Sequence, residues 1–146
     1  MSEAPEVMTR LSQAYNSHDV EAITRCYARR AVTVTPGGVA EGLDEIFSYY
    51  AEWVGAFPDS VVTPSALFTV GDSSVLEFMV TGTHKGALTL AAGEVAEATG
   101  RPIALRCCSV CTMEDGLVVS HRLYYDQLEL AAQLGYPMPT KAGHEI

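Results

Sequence analysis

The segment 114–135 constrains this chain more than any other. It reads Glu114-Asp115-Gly116, an aromatic-rich run Leu117–Tyr125, then Asp126 and a short apolar-periodic stretch closing on Gln133-Leu134-Gly135. Asp-Gly between two β-prone runs predicts a tight hairpin turn, and the glycine after Leu134 predicts a helix stop. Between turn and helix lies one strand that ends in a carboxylate. Desolvating a carboxylate is costly, so Asp126 is expected to be hydrated, paired or chemically used. We take it as the first candidate for acid/base chemistry.

A chain of 146 residues that is 48% apolar and 18% charged can bury one core, which predicts a single domain. A net charge of −9 argues against nucleic acid and anionic membranes as partners, since both demand a basic surface. No apolar run approaches the ~20 residues of a membrane span. Residues 1–6 are acidic rather than basic-then-apolar, so no signal peptide is read and a cytoplasmic location is expected.

Four cysteines, Cys26, Cys107, Cys108 and Cys111, raise the question of a metal. On a strand, Cys107 and Cys108 point to opposite faces, and the four histidines do not sit at ligand spacing. Buried thiols in a sheet are the preferred reading, with no metal and no cofactor.

Residues 5–16 place Val7, Met8, Leu11, Ala14 and Tyr15 on one helical face. Asp19 is positioned to cap a second helix over 20–28, a strand follows at 31–35, and a third helix over 43–56 ends before Pro58. From Ser60 the character turns to β, with runs over 61–70, 74–86, 87–91, 103–113 and 117–125. Residues 92–101 carry no readable pattern. Helices first and strands after predict an α+β domain, with a long, curved antiparallel sheet wrapped around N-terminal helices as a cone. Such a cone offers a small-molecule pocket.

In this order the residues resemble the SnoaL-like polyketide cyclases of the nuclear-transport-factor-two-like superfamily (a cystatin-like cone). The resemblance rests on Tyr15-Asn16-Ser17-His18-Asp19, Trp53 with Phe57-Pro58-Asp59, Gly82-Thr83-His84-Lys85-Gly86, Thr99-Gly100-Arg101-Pro102, Asp115-Gly116, and Tyr125-Asp126 with Gln133-Leu134-Gly135. It covers about residues 8–135 and leaves a tail, 136–146. It implies a hydrophobic small-molecule ligand and usually a homodimer. For the characterised cyclases it implies intramolecular aldol condensation without metal or cofactor, with the strand-end aspartate, here Asp126, as general acid/base. The superfamily also holds isomerases, epoxide hydrolases and proteins without known activity, so a non-catalytic binding module is the alternative.

Strand alternation puts Tyr124, Arg122, Ser120 and Val118 on the face of Asp126, and turns His121 away toward a possible dimer interface. Tyr124 could donate to an enolate, and Arg122 could bind a substrate carboxylate or neutralise Asp126. The turn at 114–116 leaves two registers. A three-residue loop with a glycine bulge puts Arg106, Cys108 and Val110 beside Asp126, while a two-residue loop puts Leu105, Cys107, Ser109 and Cys111 there. The first is preferred because it gives the carboxylate an ionisable partner. His84 is the second acid/base candidate. Tyr15, Trp53, Phe57, Phe68 and Phe78 are expected to face the cone, as core or as ligand contacts. The tail, with two prolines and no periodicity, leaves open a cover for the pocket, a cover for a partner subunit, or a loose end.

Overall fold

Pro5 in the first turn and the apolar spacing Val7, Met8, Leu11, Tyr15 build helix α1 (Ala4–Ser17). The computed structural model describes residues 3–90 and 93–136. Helix α1 stops where His18 takes a left-handed conformation, φ 60°, and its N–H bonds Tyr15 O at 2.9 Å. The polar break after it clamps the helix to the sheet. The Asn16 amide donates to Val62 O at 3.0 Å and accepts from Val62 N at 2.7 Å. It thereby stands in for a neighbouring strand at that sheet edge.

Asp19 caps α2 (Val20–Thr24) by accepting from Ala22 N. This helix is shorter than its sequence suggested. Strand β1 (Tyr27–Thr35) already begins at Tyr27, and Val118 N bonds Cys26 O at 2.9 Å, so sheet pairing overrides the helical spacing. Strand β2 (Gly38–Glu41) folds back on β1, and α3 (Gly42–Ala56) follows.

Four long strands complete the main sheet, with a short hairpin between the second and third. They are β3 (Val61–Val70), β4 (Ser73–Thr83), the small pair β5 (Leu88–Thr89) and β6 (Val95–Ala96), β7 (Pro102–Glu114) and β8 (Leu117–Tyr125). The six-stranded sheet has the order β2-β1-β8-β7-β4-β3. The architecture is the expected α+β one with a curved sheet, with one correction. β1 runs parallel to β8, because chain from the helical layer crosses over before β8 is laid down. Part of the expected 87–91 strand and the start of the unread 92–101 segment fall on residues 91–92, outside the described residues, as do tail residues 137–146.

The core lies between the concave sheet face and the helices. Ile46, Phe57, Leu105, Val118 and Leu134 are fully enclosed, each contributing roughly 1.5–3 kcal/mol of burial free energy. Helix α4 (Gln127–Leu134) ends at Gly135, φ 78°. Gln133 docks it by bonding both backbone groups of Ala104, at 2.8 and 3.0 Å.

Candidate functional site

Asp115 and Gly116 have φ values of 54° and 76°, a two-residue turn of the primed type, with Glu114 paired to Leu117. A two-residue turn alone would set Cys107 opposite Tyr124. Instead the ladder shifts by one: Met113 pairs with Val118, and Thr112 with Ser120. Val119 is the extra residue of a β-bulge. Downstream of it Cys108 faces Tyr124 and Val110 faces Arg122. The grouping of Arg106, Cys108 and Val110 with Arg122 and Tyr124 therefore holds, through a short turn plus a bulge rather than a long loop.

That shared face is the outer one, which corrects the sequence reading. Arg106, Arg122 and Asp126 are exposed, Cys108 is half-buried, and Tyr124 is 54% exposed. Asp126 lines neither cavity described below. Its Oδ1 accepts from Leu128 N at 2.8 Å and Glu129 N at 3.3 Å, so the carboxylate caps α4 instead of entering a pocket. The alternation between His121 and Asp126 held, apart from Val118 and Val119 at the bulge; the expectation failed in taking Asp126's side for the pocket side, since His121, opposite it, points inward and is only 4% exposed.

The concave face holds an inner cleft of about 80 Å³, walled by α1, α3, β4, β7 and β8. Tyr15, Trp53 and Phe78 line it, joined by Tyr49, Tyr50, Leu105, Cys107, Ser109, His121, Leu123 and Tyr125. A wider outer cleft of about 500 Å³ lies against it, lined by Thr35 and residues 37–40 of the β1–β2 hairpin, α3, Leu88, Leu90 and Gln127. The two share Tyr49, Trp53 and Tyr125, which form the wall between them. Asp44, Glu45 and Glu52 give the outer cleft an acidic rim, whereas the inner cleft has no carboxylate among its described lining residues.

Neutral hydrogen-bonding groups occupy the inner cleft. His121 Nδ1 lies 2.8 Å from the Tyr27 hydroxyl, and its Nε2 lies 2.8 Å from Ser109 Oγ. The Tyr27 hydroxyl in turn bonds that of Tyr50. Burial holds His121 down to about 4, so the imidazole is neutral near pH 7. Burial also pushes the Tyr125 phenol and the Cys107 thiol up to about 12, and raises Tyr27, Tyr49 and Tyr50. Each phenol stays protonated and able to donate. Elsewhere the Tyr15 hydroxyl bonds Ser60 Oγ at 2.8 Å.

Phe68, expected in the cone, is 60% exposed on the outer sheet face. Phe57 and His84 line neither cleft. Phe57 is fully buried, 5.2 Å from the Trp53 ring and 5.4 Å from that of His84. Thr99 N donates to His84 Nδ1 at 3.2 Å, and burial lowers the pKa of that imidazole. Its backbone bonds Arg101 and Gly100, so His84 ties the 85–100 excursion to the sheet. Among the described residues no three His, Cys, Asp or Glu side chains are placed to hold a metal, and no helix is long and apolar enough to cross a membrane.

A family model described as a SnoaL-like domain matches residues 8–121. The chain belongs to the SnoaL-like family. Among solved structures, this SnoaL-like protein is similar to one from Jannaschia sp. CCS1 assigned as a SnoaL-like polyketide cyclase. Identity there is 18%, coverage 93% of this chain and 94% of the other, and TM-score 0.81. It is also similar to TsrD of Streptomyces laurentii, at 25% identity, 92% and 96% coverage and TM-score 0.78. A third is IdmH of Streptomyces antibioticus, assigned as a polyketide cyclase, at 25% identity, 90% and 98% coverage and TM-score 0.75. No curated protein sequence matches.

Sequence reasoning missed His121, Ser109, Tyr27 and Tyr50 as one connected group. The available signal was burial of a histidine inside a β-run beside a tight turn. Alternation placed it opposite Asp126, as found, but that side was taken for the outer one.

Proposed function

We propose that this SnoaL-like protein binds a neutral, hydrophobic carbonyl compound of polyketide type in the inner cleft and promotes proton transfer on it, aldol-type ring closure being the sharpest form. The observation that carries the reading is a neutral imidazole held between two hydroxyls at the wall of an apolar, aromatic cleft. A charged ligand would lose hydration there without a counter-ion, whereas a carbonyl finds donors whose protons burial retains. The family and the cyclase assignments of two similar structures support this reading. His121, Ser109 and Tyr50 take the place in it that sequence had given to Asp126, which spends its carboxylate on a helix cap. The protein is proposed to be cytoplasmic.

Trp53 is the only tryptophan and lines both clefts. Titration with benzoylacetone, an aromatic 1,3-diketone, is expected to quench its fluorescence, and Cys107→Phe, which puts a ring into the cleft, is expected to abolish the quenching. No quenching of the wild-type protein by any aromatic 1,3-diketone would sink the reading.

A homodimer is proposed through the outer sheet face. Register places Phe68, Val75, Val110 and Arg122 in one row there, and Glu77, Cys108 and Tyr124 in the next, with Phe68 60% and Tyr124 54% exposed. Exposed rings flanked by charges of both signs suit pairing with a second copy of the same face.

A further inference from the structure

Tyr50, Tyr27, His121 and Ser109 form one unbranched chain of hydrogen bonds. Its two end residues, Tyr50 and Ser109, both line the inner cleft, while Tyr27 does not. The three hydroxyls and the neutral imidazole carry four protons, and the three bonds use three of them. One proton is therefore left over. It sits on Tyr27 when that hydroxyl accepts from both Tyr50 and Nδ1–H, and at an end of the chain in the two arrangements in which every bond runs the same way. In the first, Tyr50 donates to Tyr27, Tyr27 to Nδ1, and Nε2–H to Ser109, so the spare proton is on Ser109. In the second, Ser109 donates to Nε2, Nδ1–H to Tyr27, and Tyr27 to Tyr50, so the spare proton is on Tyr50.

We propose that this chain is a reversible proton wire, accepting a proton from the ligand at Ser109 while delivering another to it at Tyr50. The inference rests on the carbonyl-ligand reading and names the chemistry of that same site. Starting from the second arrangement, an enol O–H of a 1,3-dicarbonyl passes its proton to Ser109 Oγ, whose own proton moves to Nε2. The Nδ1 proton moves to Tyr27 and the Tyr27 proton to Tyr50, and the Tyr50 proton goes to the oxygen of a second carbonyl. In the ligand, the enol carbon bonds the second carbonyl carbon, the enol becomes a ketone and the second carbonyl becomes an alcohol. One proton enters and one leaves, no electrons are exchanged with a third party, and no charge is left in the apolar cleft. Avoiding that charge is what a site without a carboxylate requires. The wire ends in the first arrangement and is reset by rotation of its hydroxyls and exchange of the imidazole tautomer. Ser109 and Tyr50 touch the ligand in this scheme, and Tyr27 acts as a positioning residue through His121.

The test reads the His121 tautomer by long-range proton–nitrogen NMR at pH 7. Tyr50→Phe removes the acceptor of the Tyr27 proton, so Tyr27 must donate to Nδ1 and the ring is expected as Nε2–H. Ser109→Ala removes the acceptor at Nε2. An orphaned donor is rarer and costlier than an orphaned acceptor, so the ring is expected as Nδ1–H. Opposite tautomers in the two variants support the wire, and the same tautomer in both overturns it, since the chain would then have one fixed direction.

Keto–enol relaxation of benzoylacetone supplies the kinetic arm. Tyr27→Phe is expected to keep the Trp53 quenching and to lose at least tenfold of the wild-type acceleration. Unchanged acceleration in that variant would also overturn the wire. Absence of quenching in the wild-type protein instead removes the carbonyl-ligand reading, and the tautomer comparison still decides the wire.

Discussion

Val118 and His121 point to the same side of the sheet although they stand three positions apart on one strand. Regular alternation would separate them, and the bulge at Val119 is what brings them together. Beyond it His121 faces the cleft, and Arg122, Tyr124 and Asp126 face outward.

Removing the extra residue should therefore leave the site in place. Deletion of Val119 makes Val118, Ser120 and His121 consecutive in a regular strand, so Val118 and His121 still share the inner side while Arg122 and Tyr124 stay outside. Cooperative urea unfolding and quenching of Trp53 by benzoylacetone are expected to persist in that variant. Loss of either would show that the bulge does more than set the parity of β8.

Asp126 makes a sharp contrast. Asp126→Ala loses two cap bonds to the start of α4 and should cost about 1 kcal/mol, with Asp126→Ser recovering most of it. Ligand quenching of Trp53 should not change in either variant. A loss of proton-transfer activity in a fully folded Asp126→Ser protein would return the aspartate to the chemistry.

Stability should fall with acid through His121. Its folded value is about 4 against about 6.5 for an unperturbed histidine. Between those values the unfolded chain binds the extra proton, so stability is fully present above about pH 6.5 and is lost as pH falls toward 4. The whole span is worth about 3 kcal/mol. His84, also lowered by burial, acts in the same direction. Urea midpoints measured from pH 7.5 to 4.5 should drop less steeply in His121→Gln than in the wild-type chain.

Gly86 admits no side chain. A Cβ there would lie 2.3 Å from the carbonyl oxygen of Gly55, backbone against backbone. Gly86→Ala should destabilise by about 1–3 kcal/mol through overpacking, and should loosen the loop that brings Leu88 and Leu90 to the outer cleft. Thermal unfolding and amide exchange at 87–90 would show both effects.

Tyr124→Glu puts a charge on the outer face without touching either cleft. It is expected to convert a dimer to a monomer in sedimentation velocity and to leave Trp53 quenching intact. A wild-type protein already monomeric at micromolar concentration would reject the pairing proposed for this face.

Much of the fold was legible because its determinants are local. The 3.6-residue apolar spacing of α1 and α3, the cap at Asp19, the Asp115-Gly116 turn and the Gly135 stop all act within a few residues of themselves. Tyr15, Trp53 and Phe78 line the inner cleft, each large ring on an element whose apolar face is plain in the sequence. The parallel pairing of β1 with β8, the Val119 bulge and the Tyr50–Tyr27–His121–Ser109 chain were decided only in three dimensions. Each depends on contacts between residues far apart along the chain. A single extra residue shifts the ladder by one, and no local preference of Val119 announces it. The sequence by itself determined a SnoaL-like cone with an aromatic pocket. Tertiary structure alone decided that a buried histidine faces that pocket and that the strand-end aspartate caps a helix.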